Sequence, residues 1–160
     1  MRPALPFIGV ISDTHGLLRP EAVEPLRGAD LIIHAGDVGD PAILESLDAI
    51  APVYAVRGNV DKGELGRSLP LDTVVRWRKK FLYVLHIRDE LDLDPAAAGF
   101  HAVVFGHSHK PEIIIKEQVL YFNPGSAGPR RFSLPVTVGR ITLVNDKLNA
   151  ELIPLRLAKT

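Results

Sequence analysis

Five short apolar runs along the chain are each followed by residues that can bind a metal ion. They are Phe7–Ile11 before Asp13 and His15, Leu31–Ile33 before His34 and Asp37, Val53–Val56 before Asn59, Phe81–Leu85 before His86, and Ala102–Phe105 before His107 and His109. Short apolar runs of this kind predict buried strands. If the strands are neighbours, their carboxyl ends meet at one rim, which is where open α/β sheets place ligands. The pattern therefore predicts one polar site formed by five strand ends.

The first half of the chain alternates between predicted strands and predicted helices. The strands cover residues 7–12, 31–35 and 53–57, and the helices run from Pro20 to Leu26 and from Pro41 to about Ala49. Proline suits an early helical position, where its missing N–H costs nothing, and Asp40 is in the right place to cap the second helix. This βαβαβ order predicts parallel strands joined by right-handed crossovers.

The second half is rich in short predicted strands. They cover residues 73–77, 81–86, 102–105, 112–116, 119–122, 136–143 and 148–153, with a tight hairpin turn at 145–147. The one helix candidate there is 89–98, and Pro95 counts against it. We therefore expect two packed sheets flanked by helices, with a low helix content for an α/β protein.

Length, charge and composition narrow the possible functions. The 160 residues fit a single domain, residues 1–160, and are enough to bury a substantial core. Lys plus Arg and Asp plus Glu both number 19, so the chain lacks the basic excess of a nucleic-acid-binding protein. It has no cysteine, which excludes disulfides and thiolate metal sites. No segment resembles a signal peptide or a membrane span, so we expect a cytoplasmic protein.

The candidate ligands offer only nitrogen and oxygen atoms, a donor set suited to Mn²⁺, Fe, Zn²⁺, Ni²⁺ or Mg²⁺ rather than Cu(I). Asp13 and His15 are two residues apart, which places both side chains on one face of an extended chain, and His107 and His109 repeat this spacing. A glycine immediately precedes three candidate ligands, at Gly36, Gly58 and Gly106. Glycine allows the backbone to turn tightly where a strand leaves its sheet.

These motifs together resemble those of the calcineurin-like metallophosphoesterase family. The matching segments are Ser12–Gly16, Gly36–Asp37, Gly58–Asn59, His86 and Gly106–His109. The likeness extends over nearly the whole chain. It is closest to the small single-domain phosphodiesterase branch, because Asn123–Ser126 also fits that branch.

The resemblance implies an α/β (α+β) fold, a four-layer αββα sandwich of two mixed sheets flanked by helices. It also implies two divalent ions per chain, with Mn²⁺ the first candidate and Ni²⁺, Fe²⁺, Zn²⁺ and Mg²⁺ as alternatives. One ion would be held by Asp13, His15, Asp37 and His109, and the other by Asp37, Asn59, His86 and His107. Asp37 would bridge the two ions.

The implied reaction is hydrolysis of a small phosphodiester or other phosphate-containing substrate. A hydroxide shared by the ions would attack phosphorus, with Asp37, Asn59 and His107 as the catalytic residues. The Asn59 amide could donate to a phosphate oxygen if its carbonyl faces the metal. Phosphomonoesterase relatives carry a proton-donating His after the Gly-Asn pair, where this chain has Val60, and this favours a diesterase.

A second departure follows His86, where the family often has His-Gly-His and this chain has Ile87 and Arg88. We therefore expect the loop to bend differently there, and Arg88 is either a phosphate contact or a surface charge. For Asp61 three roles are open: orienting a ligand, supplying the missing proton, or forming a turn. We interpret His34 as a buried residue that hydrogen-bonds a neighbour, and Asn123–Ser126 as a turn that supports the site.

Two alternatives to a phosphodiesterase remain. The first is a phosphomonoesterase or pyrophosphate hydrolase that uses the same site. The second is a protein-binding scaffold, a role known for the retromer subunit of this fold. A homo-oligomer is also open, because an exposed subset of Trp77, Phe81 and Tyr83 could form a subunit contact.

Overall fold

Ten strands form the framework of the molecule in a computed structural model that describes residues 5–157. In chain order they are Phe7–Ile11 (β1), Leu31–His34 (β2), Val53–Ala55 (β3), Asp72–Trp77 (β4), Lys80–Leu85 (β5), Ala102–Val104 (β6), Glu112–Lys116 (β7), Val119–Asn123 (β8), Thr137–Val144 (β9) and Lys147–Pro154 (β10). The α-helices are Pro20–Val23 (α1), Pro41–Asp48 (α2) and Gly63–Ser68 (α3). None of these three helices has the length and hydrophobicity that a membrane crossing requires.

The first sheet has the strand order β10-β9-β1-β2-β3. Strands β1, β2 and β3 are parallel, as the βαβαβ pattern predicts, whereas β9 and β10 form an antiparallel hairpin beside β1. The hairpin turns at Asn145 and Asp146, whose φ angles are 50° and 63°. Two successive left-handed residues match the twist of the flanking strands, and Asn and Asp tolerate this conformation better than most residues.

The second sheet has the order β4-β5-β6-β8-β7. Strands β5, β6 and β8 are parallel, and β4 and β7 are antiparallel edge strands. The inner faces of the two sheets share one apolar core, which includes Ile8, Val10, Ile33, Val84, Val104 and Phe122. The prediction of two mixed sheets packed as a sandwich is therefore confirmed.

The outer faces of the two sheets are covered differently. A second apolar cluster lies between the first sheet and the helices, with Leu26 and Leu47 fully buried. The outer face of the second sheet packs against the segment 87–100 through Leu91, Leu93 and Phe100. The predicted helix 89–98 is wrong, because this segment has only a 3₁₀ turn at Arg88–Glu90 and an isolated turn after Pro95. Pro95 removes a helical N–H donor, and Leu91 and Leu93 alternate at strand-like spacing.

Two further helical segments differ from the prediction. The expected helix 20–26 divides into α1 and a 3₁₀ turn at Glu24–Leu26, within which Pro25 lacks the N–H needed to continue the α-helix. Helix α3 was not predicted, since a six-residue segment with two glycines has no clear helical pattern.

The five strand ends meet as predicted, although the strands belong to two sheets rather than one. Strands β1, β2 and β3 come from the first sheet, and β5 and β6 come from the second. Backbone hydrogen bonds join adjacent loops at this edge, from Asp13 N to Gly36 O at 3.0 Å and from Gly106 N to His86 O at 3.0 Å. The sandwich therefore brings the loops of both sheets to one site.

Candidate metal centre

Asp13, His15 and His109 form the first group of donor atoms, which lie within 4.8 Å of one another. The Nε2 atoms of His15 and His109 are 3.2 Å apart, and Asp13 Oδ1 is 3.4 Å from His109 Nε2. Asp13 Oδ1 is buried and has no hydrogen-bond partner. A buried carboxylate oxygen without a donor is costly unless a cation compensates its charge, so this group fits a metal ion.

The second oxygen of Asp13 is held by the protein. Ser12 Oγ donates to Asp13 Oδ2 at 2.7 Å, and the His107 amide donates to the same oxygen at 3.2 Å. These two bonds fix the carboxylate so that Oδ1 faces the histidines. Hydrogen bonds of this kind are how outer residues orient a metal ligand.

Asp37, His86 and His107 form the second group, again within 4.8 Å of one another. Asn59 joins them, because its Oδ1 lies 3.1 Å from His86 Nε2 and 3.2 Å from His107 Nδ1. His86 Nδ1 donates to the Ala35 carbonyl at 2.7 Å, which turns Nε2 towards the site. Ile87 therefore does not prevent His86 from taking the position that the sequence predicts.

Asp37 lies between the two groups. Its Oδ2 is 3.6 Å from His15 Nε2 in the first group and 3.1 Å from His86 Nε2 in the second. Its Oδ1 accepts a hydrogen bond from the Val60 amide at 3.0 Å. One carboxylate oxygen thus contacts both groups while the other fixes the side chain, which is the arrangement that a bridging ligand needs.

The seven candidate residues differ in their access to solvent. Asp13, Asp37, His86 and His109 are buried at the base of the site. His107 and Asn59 are exposed at its mouth, and His15 is intermediate. A substrate would therefore approach from the side of Asn59 and His107.

The pKa values in the site reflect competition between burial and charge. Burial would raise the pKa of Asp37, but hydrogen bonds from His86 and the Val60 amide and the nearby imidazoles lower it to about 2. Burial would lower the pKa of His86, but the hydrogen bond to Asp37 and the Asp13 charge outweigh it, so the pKa is raised. For His15 burial prevails and the pKa is lowered. Protons therefore compete with cations for His86 in particular.

Five of the seven candidate residues have a left-handed backbone. The φ angles are 57° for Asp13, 47° for His15, 56° for Asp37, 73° for His107 and 63° for His109. Residues other than glycine seldom adopt this conformation, and it persists only where the surrounding structure enforces it. Seven other described non-glycine residues, Asn145 and Asp146 among them, have a positive φ outside the site, so this conformation alone does not mark it. The prediction that Asp13 and His15, and His107 and His109, lie on one face of an extended chain is wrong, because these residues are left-handed.

The three glycines beside the candidate ligands have two different purposes. Gly36 has a φ of 101°, so it permits the tight turn that the sequence predicts. Gly58 and Gly106 have no positive φ, and the prediction of a glycine-specific turn is wrong for them. A Cβ at Gly58 would collide with Asp37, and one at Gly106 would collide with Ser12 and Asp13. These two glycines leave room for the carboxylates.

His34 is fully buried behind the site and connects two of its loops. The Gly36 amide donates to His34 Nδ1 at 3.1 Å, so the ring proton is on Nε2 and is donated to Thr14 Oγ1 at 3.0 Å. Thr14 Oγ1 in turn donates to the Val38 carbonyl at 2.8 Å. Burial lowers the pKa of His34 to about 4, so the ring is neutral. The interpretation of His34 as a buried hydrogen-bonding residue is confirmed.

Asp61 holds the loops after β2 and β3 together. It is 4% exposed, and its carboxylate accepts from the amides of Gly58 at 2.9 Å, Gly39 at 3.0 Å and Val38 at 3.2 Å. Its own amide donates to Gly58 O at 3.2 Å, so it also forms a turn. With its oxygens occupied by backbone donors, Asp61 does not have the exposure that a proton donor to substrate needs. The sequence offers no pattern that predicts three amide bonds to one carboxylate.

The segment Asn123–Ser126 supports the site, as predicted. Asn123 Nδ2 donates to Gly106 O at 3.1 Å and to Ser108 Oγ at 3.2 Å, beside His107 and His109. Ser126 Oγ donates to the Asp13 carbonyl at 3.1 Å. This segment, which begins at the last residue of β8, therefore contacts loops of the candidate site from both sheets.

Arg88 is fixed by contacts with its neighbours, whereas Arg130 and Arg131 are exposed on a loop. Arg88 pairs with Glu112 at 3.4 Å, and its guanidinium lies over the rings of Tyr121 and Phe105, at 4.9 and 5.5 Å from their centroids. It also lines a cavity of about 220 Å³ that His107 shares. Arg130 and Arg131 are exposed on the loop before β9.

Two comparisons of the sequence with known proteins find phosphoesterases. The sequence profile of the calcineurin-like phosphoesterase superfamily domain matches residues 7–146. A probable metallophosphoesterase from Methanocaldococcus jannaschii is 37% identical over 162 residues, covering 93% of this chain and 81% of the relative.

Solved structures show the same fold at low identity. An archaeal phosphodiesterase superposes with a TM-score of 0.76 at 23% identity, covering 93% of this chain and 99% of its own. Vacuolar protein sorting 29 from Cryptosporidium parvum superposes with a TM-score of 0.70 at 20% identity, covering 93% of this chain and 97% of its own. Both likenesses establish the fold alone.

Proposed function

The chain belongs to the calcineurin-like phosphoesterase superfamily, and we propose that it is a phosphodiesterase that uses two divalent metal ions. The observation that carries the proposal is the position of Asp37. Its Oδ2 lies within 3.6 Å of His15 Nε2 and 3.1 Å of His86 Nε2, so a single oxygen faces both donor groups. The unpartnered Oδ1 of Asp13 supports the same conclusion, because it needs a cation.

The donor atoms divide between the two ions as the family resemblance implies. Asp13, His15 and His109 would hold one ion and Asn59, His86 and His107 the other, with Asp37 shared. Mn²⁺ is the first candidate that the family resemblance implies, and the nitrogen and oxygen donors also suit Ni²⁺, Fe²⁺, Zn²⁺ and Mg²⁺. When bound, such ions act as Lewis acids and lower the pKa of water enough to supply a nucleophile at neutral pH.

Asn59 positions the substrate in this proposal. Its Oδ1 faces His86 and His107, so Nδ2 on the same amide carbon points away from them and is free to donate to a phosphate oxygen. The residue is exposed at the mouth of the site, where a phosphate would enter. A donor fixed in this position stabilises charge that develops on the phosphoryl oxygens.

The preference for diesters rests on the leaving-group side of the site. Val60 follows Asn59, is 44% exposed, and has no proton to give. Asp61 is buried under three amide donors. A positioned acid typically contributes about 10²–10⁴-fold, and the residue that follows Asn59 cannot act as one.

The test compares bis(4-nitrophenyl) phosphate with 4-nitrophenyl phosphate, two substrates that release the same phenol. The chelated protein is loaded with Mn²⁺, Ni²⁺, Zn²⁺ or Mg²⁺ in turn, and bound metal is counted by elemental analysis. We expect two ions per chain and a higher kcat/KM for the diester. Faster monoester turnover would favour a phosphomonoesterase. Bound metal without turnover of either ester, or no bound metal, would favour a scaffold.

A further inference from the structure

Strand β7 (Glu112–Lys116) has one free edge. It pairs with β8 on one side and is the last strand of the second sheet. Within residues 5–157, no backbone hydrogen bond outside this ladder involves β7. The N–H and C=O groups that face away from β8 can therefore pair with another strand.

The centre of β7 is apolar and exposed on both faces. Ile113, Ile114 and Ile115 are 43%, 38% and 70% exposed. Edge strands of stable monomers are usually protected by a central charge, a proline or a bulge. Strand β7 has none of these, and its two charges stand only at its ends.

The other edge strands differ from β7. Strand β10 has Lys147, Asn149 and Glu151 along its length, and β3 has three residues. Strand β4 carries Asp72 and Arg76 near its ends, with Thr73, Val74 and the buried Val75 between them. Within residues 5–157, β7 is the edge strand with three consecutive exposed isoleucines at its centre.

We propose that β7 is the contact between two copies of this chain. The two strands pair antiparallel, and the twofold axis passes between Ile114 of one copy and Ile114 of the other. The order Glu-Ile-Ile-Ile-Lys is self-complementary in that register. Glu112 then faces Lys116 of the second copy at both ends, and Ile113 faces Ile115 of the second copy. A symmetric contact of this kind closes at two subunits.

The charges select this partner and this orientation. A parallel pairing in register would place Glu112 beside Glu112 and Lys116 beside Lys116, and like charges directly opposite each other are unfavourable. The antiparallel pairing converts both contacts to opposite charges. Glu112 also lies 3.4 Å from Arg88, so its carboxylate is already held at the end of the strand.

Five residues per strand make a small interface, below the ~1,200 Å² of a standard stable complex. We therefore expect a weak dimer that forms as the protein concentration rises from micromolar to millimolar. Sedimentation velocity over this range should show a monomer–dimer equilibrium. Lys116→Glu and Ile115→Lys should each raise the dissociation constant of the dimer by about tenfold or more. Glu151→Lys, on the edge of the other sheet, should leave it unchanged.

Charge exchange gives the sharpest test. Lys116→Glu gives each chain two acidic strand ends, and Glu112→Lys gives two basic ends, so each variant alone should be mainly monomeric. Their equimolar mixture should dimerise as a heterodimer, and the double variant E112K/K116E should dimerise more tightly than either single variant, although it also loses the Glu112–Arg88 pair. A wild type that stays monomeric throughout would overturn the proposal. So would a dimer that Lys116→Glu and Ile115→Lys leave intact, or a mixture that does not associate.

Discussion

Asp37 and Asp40 lie three residues apart in one loop, yet their carboxylates have different partners. Asp37 Oδ2 faces His15 and His86, whereas Asp40 Oδ1 accepts from the Ala42 amide at 2.9 Å and caps α2. We expect Asp37→Asn to abolish most metal-dependent activity, because the amide cannot neutralise two cations. Asp40→Ala should instead cost about 1 kcal/mol of stability with kcat/KM retained. Diesterase assays and urea unfolding of both variants test this pair.

The two variants also test the assignment of the bridge. Bound metal should fall below two ions per chain in Asp37→Asn and stay at two in Asp40→Ala. Equal catalytic losses in the two folded variants would contradict the assignment of Asp37 as the bridge.

Val60 is the second residue whose replacement is informative. Without a neighbouring acid, the leaving oxygen departs as an anion or takes a proton from water, so the rate should fall steeply as the leaving-group pKa rises. Val60→His should accelerate alkyl diesters more than aryl diesters, up to the ~10²–10⁴-fold that a positioned acid contributes. The measurement is kcat/KM over a series of leaving groups, with Val60→Leu as the size control. A flat dependence in the wild type would show that another group already supplies the proton.

At the scale of elements, the site consists of loops that hold one another in strained conformations. Asp61 connects the loop after β2 with the loop after β3 through the amides of Val38, Gly39 and Gly58. Its replacement by Asn loses the charge and turns an amide nitrogen towards backbone donors. We expect Asp61→Asn to cost about 1–3 kcal/mol for each donor left unpaired and to weaken metal binding.

The same variant separates a structural role of Asp61 from an acid role. If Asp61 only holds the loops, the dependence of kcat/KM on leaving-group pKa should keep its slope in Asp61→Asn at saturating metal. Asp48→Asn, an exposed carboxylate on α2, is the matched control. A steeper slope in Asp61→Asn alone would identify it as a proton donor.

At the scale of the whole molecule, the buried His34 connects stability to pH. Its pKa is about 4 in the folded protein because burial disfavours the charged ring, against an ordinary value of 6.5. Between these values the unfolded chain binds a proton that the folded protein does not. The free energy of unfolding should therefore decrease as pH falls from about 6.5 to about 4, by on the order of 3 kcal/mol in total.

Urea unfolding of the metal-free protein across this range measures the effect, with His34→Asn for comparison. The asparagine does not titrate there, so its dependence on pH should be shallower although its overall stability is lower. The depressed pKa of Asp37, about 2, acts mainly below this window, and the raised pKa of His86 acts in the opposite direction as pH rises. Parallel pH profiles for the two proteins would contradict the role given to His34.

Local patterns in the sequence determined much of the architecture. The runs that became β1, β2, β3, β5 and β6 are identifiable because consecutive apolar residues mark buried strands, and the ligand candidates are identifiable because polar residues follow each run. Asp13, His15, Asp37, Asn59, His86, His107 and His109 all lie together at the predicted edge. The resemblance carried by their order and spacing also predicts the two groups into which the structure brings the donor residues Asp13, His15 and His109, and Asp37, His86 and His107.

The tertiary structure decided what depends on contacts between distant segments. Only packing shows that the five strands belong to two sheets, that segment 87–100 needs no helix to cover Tyr83 and Phe105, and that Asp61 binds three amides. Gly58 and Gly106 are required by carboxylates that lie far away in sequence, rather than by their own backbone angles. The free edge of β7 likewise appears only when the strand order is known. A sequence pattern reports which residues each segment buries, whereas the partners of those residues are determined by the assembled sandwich.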